Sequence, residues 1–111
     1  MKIINLTPHA ITIDGVGTIL PAPVAARVDV HTLTHTAGGM PCRVRAQAFG
    51  AVQGLPDPVE GVAYVVSAIV LARVKAQFGQ YARFDVFAPD TGPDAIRNEN
   101  GQIVAVQGLV C

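Results

Sequence analysis

The stretch ARVDVHTLTHTAGGMPCRVRAQAF, residues 26–49, decides the fold class because it alternates in two long runs around a pair of glycines. Side chains of a β-strand point alternately to its two faces. The first run, residues 26–34, is predicted to be one strand, and residues 42–49 form the next. Gly38 and Gly39 supply the turn between them. The stretch therefore predicts a long antiparallel hairpin.

Matching the apolar faces of the two strands predicts the register of this hairpin. Val28 and Val30 share one face of the first strand. On the second strand, Ala46 and Ala48 share a face. A slip of one residue would turn every side chain to the other face, so Val30 should pair with Ala46 or Ala48. The opposite face of the hairpin then carries polar side chains and one ring. They are Arg27, Asp29, His31, Arg43, Arg45, Gln47 and Phe49.

Shorter elements are predicted before the hairpin. A tight Asp-Gly turn, residues 14–15, joins strands at residues 11–13 and 18–20. Residues 7–9, Thr-Pro-His, interrupt the preceding strand-like run, because proline cannot donate a hydrogen bond to a sheet. No second residue offers His9 a partner for a metal or catalytic site. We therefore interpret this segment as a break between two short strands.

One helix is predicted after the hairpin. Residues 62–66 form a short buried strand, and Ser67 then begins the helix as its N-cap. Gly79 ends the helix, because glycine adopts the left-handed conformation at little cost. The helical period predicts a buried stripe, with Arg73 and Gln77 facing water. The stripe consists of Ile69, Val70, Val74 and Phe78.

The end of the chain completes the predicted fold. Further strands are expected at residues 84–88 and 103–109, the second after a turn at residues 98–101. The whole chain then has about seven short strands and one helix of about 11 residues. Because successive turns join neighbouring strands, antiparallel pairing is favoured over β–α–β crossovers. We expect one domain, residues 1–111, of the α+β class with mainly antiparallel strands, built as a Greek-key-like curved sheet or a small barrel with the helix packed against it.

Composition argues against several classes of protein. Half of the 111 residues are apolar and 14% are charged, which argues against a disordered chain. The formal net charge is zero and Lys and Arg form no run, so we expect no nucleic-acid polymer as a partner. The most apolar stretch, residues 62–71, is too short to span a bilayer, and no signal-peptide core precedes it. We therefore expect a cytoplasmic protein without a membrane partner.

No set of residues predicts an enzyme, a metal site or a cofactor. His31 and His35 are four residues apart, which on a strand separates them by about 13 Å, too far to share one ion. Cys42 lies on the predicted apolar face, where a thiolate is disfavoured, and Ser67 has a simpler role as a helix cap. Residues 15–17, Gly-Val-Gly, lack the third glycine and the following helix of a dinucleotide-binding loop. We therefore expect no catalytic residue, no metal and no cofactor.

The polar face of the central hairpin is the candidate binding site. Its arginines present planar forks that suit phosphate, and Phe49 can stack on a base. Arg97, just before the last turn, can join the site from the same chain or from a neighbouring copy. Two other interpretations stay open, an outer sheet face with charge pairs across its strands and an interface between copies. The candidate ligand-binding residues are Arg27, Arg43, Arg45, Phe49 and Arg97.

Several segments, in order along nearly the whole chain, resemble small proteins of phages and prophages, beginning with INLTPH. They are residues 4–9, 24–28, 49–50, 54–56, 60–61, 64–67 and 96–101. Together the set is similar to the first Thoeris anti-defence family, whose members hold a derivative of cyclic ADP-ribose without cleaving it. The resemblance implies an oligomer with a Greek-key-like fold, anchoring helices and a pocket of arginines around an aromatic ring.

The resemblance also implies a function. Arg27 and Arg97 lie in matched segments and would be pocket arginines, while Phe49, Tyr81 and Phe84 compete for the place of the ring. We therefore expect a non-catalytic, self-associating binding protein of phage or prophage type. Its expected ligand is a small anion or nucleotide, sequestered as a cyclic-ADP-ribose-like signal. The alternative is a structural or protein-interaction domain without a small-molecule ligand.

Overall fold

The computed structural model describes residues 2–35, 38–39, 41–42, 44–79 and 83–111. Within these ranges the protein is an α+β fold with ten short strands and one helix, which confirms the predicted class. The strands are β1 (Lys2–Asn5), β2 (Ile11–Ile13), β3 (Gly17–Ile19), β4 (Arg27–His35), β5 (Val44–Gln53), β6 (Val62–Val65), β7 (Val86–Pro89), β8 (Ile96–Arg97), β9 (Ile103–Ala105) and β10 (Leu109–Val110). The helix, α1 (Ala68–Phe78), connects β6 to β7.

The strands form one four-stranded sheet and three two-stranded ones. The larger sheet has the order β1-β6-β7-β10, and the pairs are β2–β3, β4–β5 and β8–β9. Most ladders are antiparallel, but β1 and β7 both run parallel to β6. Because α1 joins two parallel neighbours, β6–α1–β7 is a β–α–β crossover, which the turn signals had not predicted. The strands of the described ranges do not close into a barrel.

The ends of α1 agree with the sequence prediction, but its buried face does not. Ser67 Oγ accepts a hydrogen bond from the Val70 N–H at 3.3 Å, and Gly79 ends the helix with a φ of 101°. The buried residues are Val70, Leu71 and Val74. Ile69 is 60% exposed and Phe78 47% exposed, so their predicted place in the buried stripe is wrong. The helix turns Leu71 inward because it packs on both β7 and the β4–β5 hairpin.

A hydrophobic core lies between the larger sheet and α1. Its buried members are Leu6, Ala26, Tyr64, Val66, Val70, Leu71, Val74, Val86 and Ala88. Partly buried Val28 and Val52 extend this core to the base of the β4–β5 hairpin. The hairpin is therefore anchored to the core at its base.

The register of the β4–β5 hairpin differs from the predicted one. Val28 pairs with Val52, but Val30 pairs with Phe49 and not with Ala46 or Ala48. Two residues of β5 thus oppose Asp29 alone, which is a β-bulge. The extra residue reverses the faces of β5 beyond the bulge. As a result the Phe49 side chain no longer lies on the same face as Arg27 of β4.

Other predicted boundaries also shift for identifiable reasons. The predicted strand 103–109 divides into β9 and β10, because the Val106 N–H donates to the Thr12 carbonyl at 2.9 Å and joins β2 instead. Cys42 is exposed and precedes β5, so its predicted place on an apolar strand face is wrong. Among the described residues, no helix has both the length and the apolar character that crossing a membrane requires.

The Thr-Pro-His segment is a backbone break held by a buried amide. Asn5 Nδ2 donates to the carbonyls of His9 at 2.7 Å and Ile19 at 3.0 Å. Its Oδ1 accepts from the N–H of Thr7 at 2.9 Å and from the Thr7 hydroxyl at 2.6 Å. The break between β1 and β2 was therefore predicted correctly, and these four bonds are its physical cause.

Candidate functional site

The candidate site is a groove between the outer side of α1 and the hairpin strand β5, called here the arm–helix groove. It has a volume of about 280 Å³ and is lined by Phe49, Ile69, Ala72, Arg73 and Ala76. Phe49 comes from β5 and is 44% exposed, and the other four residues come from α1. The lining is apolar except for one guanidinium, so the groove combines an aromatic ring with a single positive charge.

Two side chains of α1 hold the edge of β5 beside the bulge. Arg73 Nε donates to the Gly50 carbonyl at 2.8 Å, and Gln77 Oε1 accepts from the Val52 N–H at 3.0 Å. The sequence predicted that both side chains face water; Gln77 is exposed as predicted, whereas Arg73 is half-buried against β5. They satisfy backbone groups that an edge strand would otherwise leave open. These bonds fix Phe49, next to Gly50, relative to α1.

The bond from Arg73 leaves its terminal amino groups available. It uses Nε, and within the described part of the chain Nη1 and Nη2 have no hydrogen-bond partner. A guanidinium is a planar fork that matches a phosphate or carboxylate. The position of Arg73 is thus set by Gly50 while its donors remain open to an acceptor beside Phe49.

Arg27, a predicted site residue, lies on the opposite face of the hairpin from Phe49. Its Nη2 donates to Gln53 Oε1 at 2.9 Å, and Gln53 Nε2 donates to Asp29 Oδ2 at 2.7 Å. All three groups are exposed at the base of the hairpin. This arrangement corresponds to the alternative of an outer sheet face with charged groups linked across its strands.

The remaining predicted arginines lie apart from one another in this chain. Arg45 pairs with Thr34 and shares a face with Phe49, four residues and about 13 Å farther along β5. Arg97 is exposed and its Nη1 donates to the Gly101 carbonyl at 3.0 Å, which closes its own hairpin turn. Arg43 lies outside the described residues. The prediction that Arg27, Arg45 and Phe49 share one face is therefore wrong, because the bulge divides them.

The three candidate aromatic residues also occupy different places. Phe49 lines the arm–helix groove, and Phe84 is exposed at another cavity, which Lys75, Arg83 and Cys111 also line. Tyr81 lies outside the described residues. Phe49 therefore lies beside the Arg73 guanidinium, whereas the guanidinium that lines the cavity of Phe84 is bonded to Asp85.

No protein-family model, curated protein or solved structure matches the chain. The resemblance to phage proteins and to the Thoeris anti-defence family therefore stays a prediction. The function must be inferred from the geometry of the residues themselves.

An ion pair near the start of β7 is a further feature that sequence reasoning missed. Arg83 Nε and Nη2 donate to the two carboxylate oxygens of Asp85 at 2.9 and 3.0 Å. Arg83 Nη2 also donates to the Pro56 carbonyl at 2.9 Å. The hydrogen bond from Arg83 lowers the pKa of Asp85, and the same bond raises the pKa of Arg83. Both groups are engaged with each other, so the pair ties the loop of residues 54–58 to the sheet.

The groove contains no set of groups for catalysis. None of its five lining residues is a nucleophile, an acid or a base. Among the described residues, no three His, Cys, Asp or Glu side chains come close enough together to hold a metal ion. The arrangement can bind a flat or apolar group and an anion, and its chemistry is that of recognition. Sequence reasoning found Phe49 but missed Arg73, because the helical period alone placed Arg73 in water.

Proposed function

We propose that the protein is a non-catalytic binding protein and that the arm–helix groove is its ligand site. The observation that carries the proposal is that Phe49 and Arg73 line the same groove. A ring provides a surface on which a base stacks, and a guanidinium donates two parallel hydrogen bonds to a phosphate. These are the two contacts that recognition of a nucleotide requires.

The proposed ligand is a small anionic nucleotide of the cyclic ADP-ribose type. The groove supports this class through its ring and its positive charge, and the resemblance supports the cyclic form. The ligand is held intact, because the lining residues offer no group that attacks it. Self-association, a cytoplasmic location and a phage or prophage origin, all expected from the sequence, belong to the same proposal.

Native mass spectrometry tests this proposal directly. The purified protein is incubated with cyclic ADP-ribose isomers, and we expect a retained mass that heating releases as intact nucleotide. Phe49→Leu removes the ring but keeps an apolar side chain, and Arg73→Gln removes the charge. Each should lower the retained fraction by about tenfold, as the loss of about 1.4 kcal/mol or more predicts. Phe84→Leu, at an exposed ring outside the groove, should retain as much as the wild type.

A contrary result is equally well defined. If the folded protein retains no nucleotide, ligand sequestration is wrong. Release of a converted nucleotide would show turnover and would make the protein an enzyme. If the Phe49→Leu and Phe84→Leu variants lose the same fraction of retained nucleotide, the ligand does not bind in the arm–helix groove.

A second candidate function is a protein-interaction domain without a small ligand. It is favoured by one observation: Ile69, 60% exposed, lies beside Phe49 and two alanines of α1 in a groove that is apolar except for Arg73. Exposed apolar surface of this kind is typical of contacts between proteins. On this proposal Ile69→Glu lowers the mass measured by size-exclusion chromatography with light scattering. Nucleotide retention is then zero in the wild type as well, which separates the two functions.

A further inference from the structure

A second cavity lies on a different part of the molecule, where β2, β9 and the end of β7 meet. We call it the β2–β9 pocket. It has a volume of about 340 Å³, apolar walls that include Ile11, Ile103 and Val104, and a polar rim that includes His9 and Thr91. Its size and its mixture of apolar walls with a few polar groups are typical of small-molecule sites.

The backbone that carries His9 is fixed by buried residues. Asn5 and Thr7 are 1% and 8% exposed. Asn5 Nδ2 donates to the His9 carbonyl at 2.7 Å, and the Thr7 hydroxyl, which donates its proton to Asn5 Oδ1, accepts from the His9 N–H at 3.4 Å. The imidazole itself is not used by this network and stays exposed at the rim of the pocket. A buried polar network thus holds the backbone beneath an exposed donor, which is how binding sites are preorganised.

The segment that carries Thr91 is held in a similar way. Asp90 Oδ1 accepts from the Gly92 N–H at 3.1 Å, and the Asp90 N–H donates to the Gly108 carbonyl at 3.0 Å. These bonds close a turn around Thr91. None of the residues that line the pocket in the described part of the chain is acidic. His9 and Thr91 therefore offer two donors to an anion, and the nearby Asp90 carboxylate, which is not among the lining residues, accepts from the Gly92 N–H.

We propose that the β2–β9 pocket binds small monocarboxylic acids that have a ring or a branched aliphatic body. The body packs against Ile11, Ile103 and Val104, and the carboxylate accepts hydrogen bonds from the His9 imidazole and the Thr91 hydroxyl. The pocket shares no residue with the arm–helix groove, so this site stands independently of the proposed function.

Titration with benzoate, followed by NMR of the ¹³C-labelled protein, tests the site. We expect saturable shifts of the Ile11, Ile103 and Val104 methyl groups and of the His9 ring, with a dissociation constant on the order of 1 mM. Benzamide, which has the same ring but no charge, should bind about fivefold more weakly. Acetate, which has the charge but no apolar body, should give no saturation in the same range.

Variants at the rim and wall separate the site from adventitious binding. His9→Ala and Thr91→Val should each weaken benzoate binding by about three- to tenfold. The His9 variant keeps the Asn5 and Thr7 bonds, because they involve only the backbone of residue 9.

Val104→Glu places a negative charge at an exposed wall position and should abolish binding, whereas Val24→Glu, at a similarly exposed valine outside the pocket, should leave it unchanged. Phe49→Leu should also have no effect, which keeps this test separate from the nucleotide test. Absence of saturable shifts in the folded wild type, or equal binding by the Val104→Glu and Val24→Glu variants, would overturn the proposal.

Discussion

At the scale of single residues, Asn5 determines how the chain leaves its first strand. A side-chain amide has two N–H donors and one oxygen that accepts two bonds, and the structure uses all four. No other side chain of this size offers two donors and a double acceptor from one planar group. An aspartate would lose both donors, and a leucine would leave three backbone groups and the Thr7 hydroxyl without this partner.

Replacing Asn5 should therefore be costly. We expect Asn5→Ala to lower the free energy of unfolding by about 2–4 kcal/mol, because several buried polar groups lose their partners together. Urea denaturation measures the change. Asn98→Ala is a matched control, since Asn98 Oδ1, like Asn5 Oδ1, accepts two hydrogen bonds but lies exposed in a turn, where water replaces it. We expect that variant to lose less than about 1 kcal/mol, and equal losses at the two positions would contradict the role given to burial.

At the scale of elements, α1 controls both the core and the hairpin edge. Its inner side packs Val70, Leu71 and Val74 into the core, and its outer side bonds to Gly50 and Val52 of β5. One helix thus sets the position of the sheet and of the bulge. The arm–helix groove exists because α1 packs on the core with one side and bonds to β5 with a neighbouring side.

The Arg83–Asp85 pair makes the start of β7 sensitive to acid. The pKa of Asp85 is lowered from its ordinary value of 3.8, so the folded state binds this proton less readily than the unfolded state. The stabilisation is therefore complete above pH 3.8 and is lost as the pH falls through the lowered pKa. The two side chains are only 11% and 18% exposed, and removing one partner should cost about 1–3 kcal/mol at pH 7.

The measurement compares wild type and Asp85→Asn by chemical denaturation between pH 7 and pH 2. We expect the stability difference at pH 7 to shrink toward zero as the pH falls below 3.8. Asp94→Asn, at an exposed turn position, should give a curve that stays parallel to the wild type. A difference that persists unchanged at pH 2 would show that the carboxylate charge is not the cause.

At the scale of the whole molecule, the protein is extended by its hairpin. Its radius of gyration is 16.6 Å, whereas a compact domain of this length has about 13 Å. Nine-residue β4 spans about 30 Å, and beyond Phe49 the described positions Thr32, Arg45 and Ala48 are exposed. Among the side chains that the structure describes, none between residues 29 and 51 belongs to the core.

Shortening the hairpin should accordingly leave the core stable. We expect a variant in which Asn-Gly replaces residues 32–47 to unfold cooperatively, within about 1 kcal/mol of the wild type, because that dipeptide forms a two-residue hairpin turn. Denaturation with urea gives the stability, and light scattering gives the mass of the same sample. Loss of cooperative unfolding would show that the outer hairpin carries part of the core's stability.

The sequence predicted the features that depend on neighbouring residues. Ser67 and Gly79 bound the helix because capping is a local effect, and alternation located the long hairpin. The bulge could not be predicted, since the helix side chains that hold Gly50 and Val52 lie more than 20 residues away. The arm–helix groove could not be predicted either, because its position depends on both the register of β5 and the rotation of α1 about its axis.

The parallel pairing of β1 has a consequence for how the protein is made. Lys2 pairs with Val62, 60 residues later in the chain. At a synthesis rate of about 5–20 residues per second, β1 waits several seconds on the ribosome before its partner emerges. The strands of the β4–β5 hairpin are close together in the chain, and β-hairpins in general form within about 1–10 μs. The nascent chain therefore exposes the apolar side chains of β1 until β6 is complete. During this interval those side chains are accessible to a chaperone.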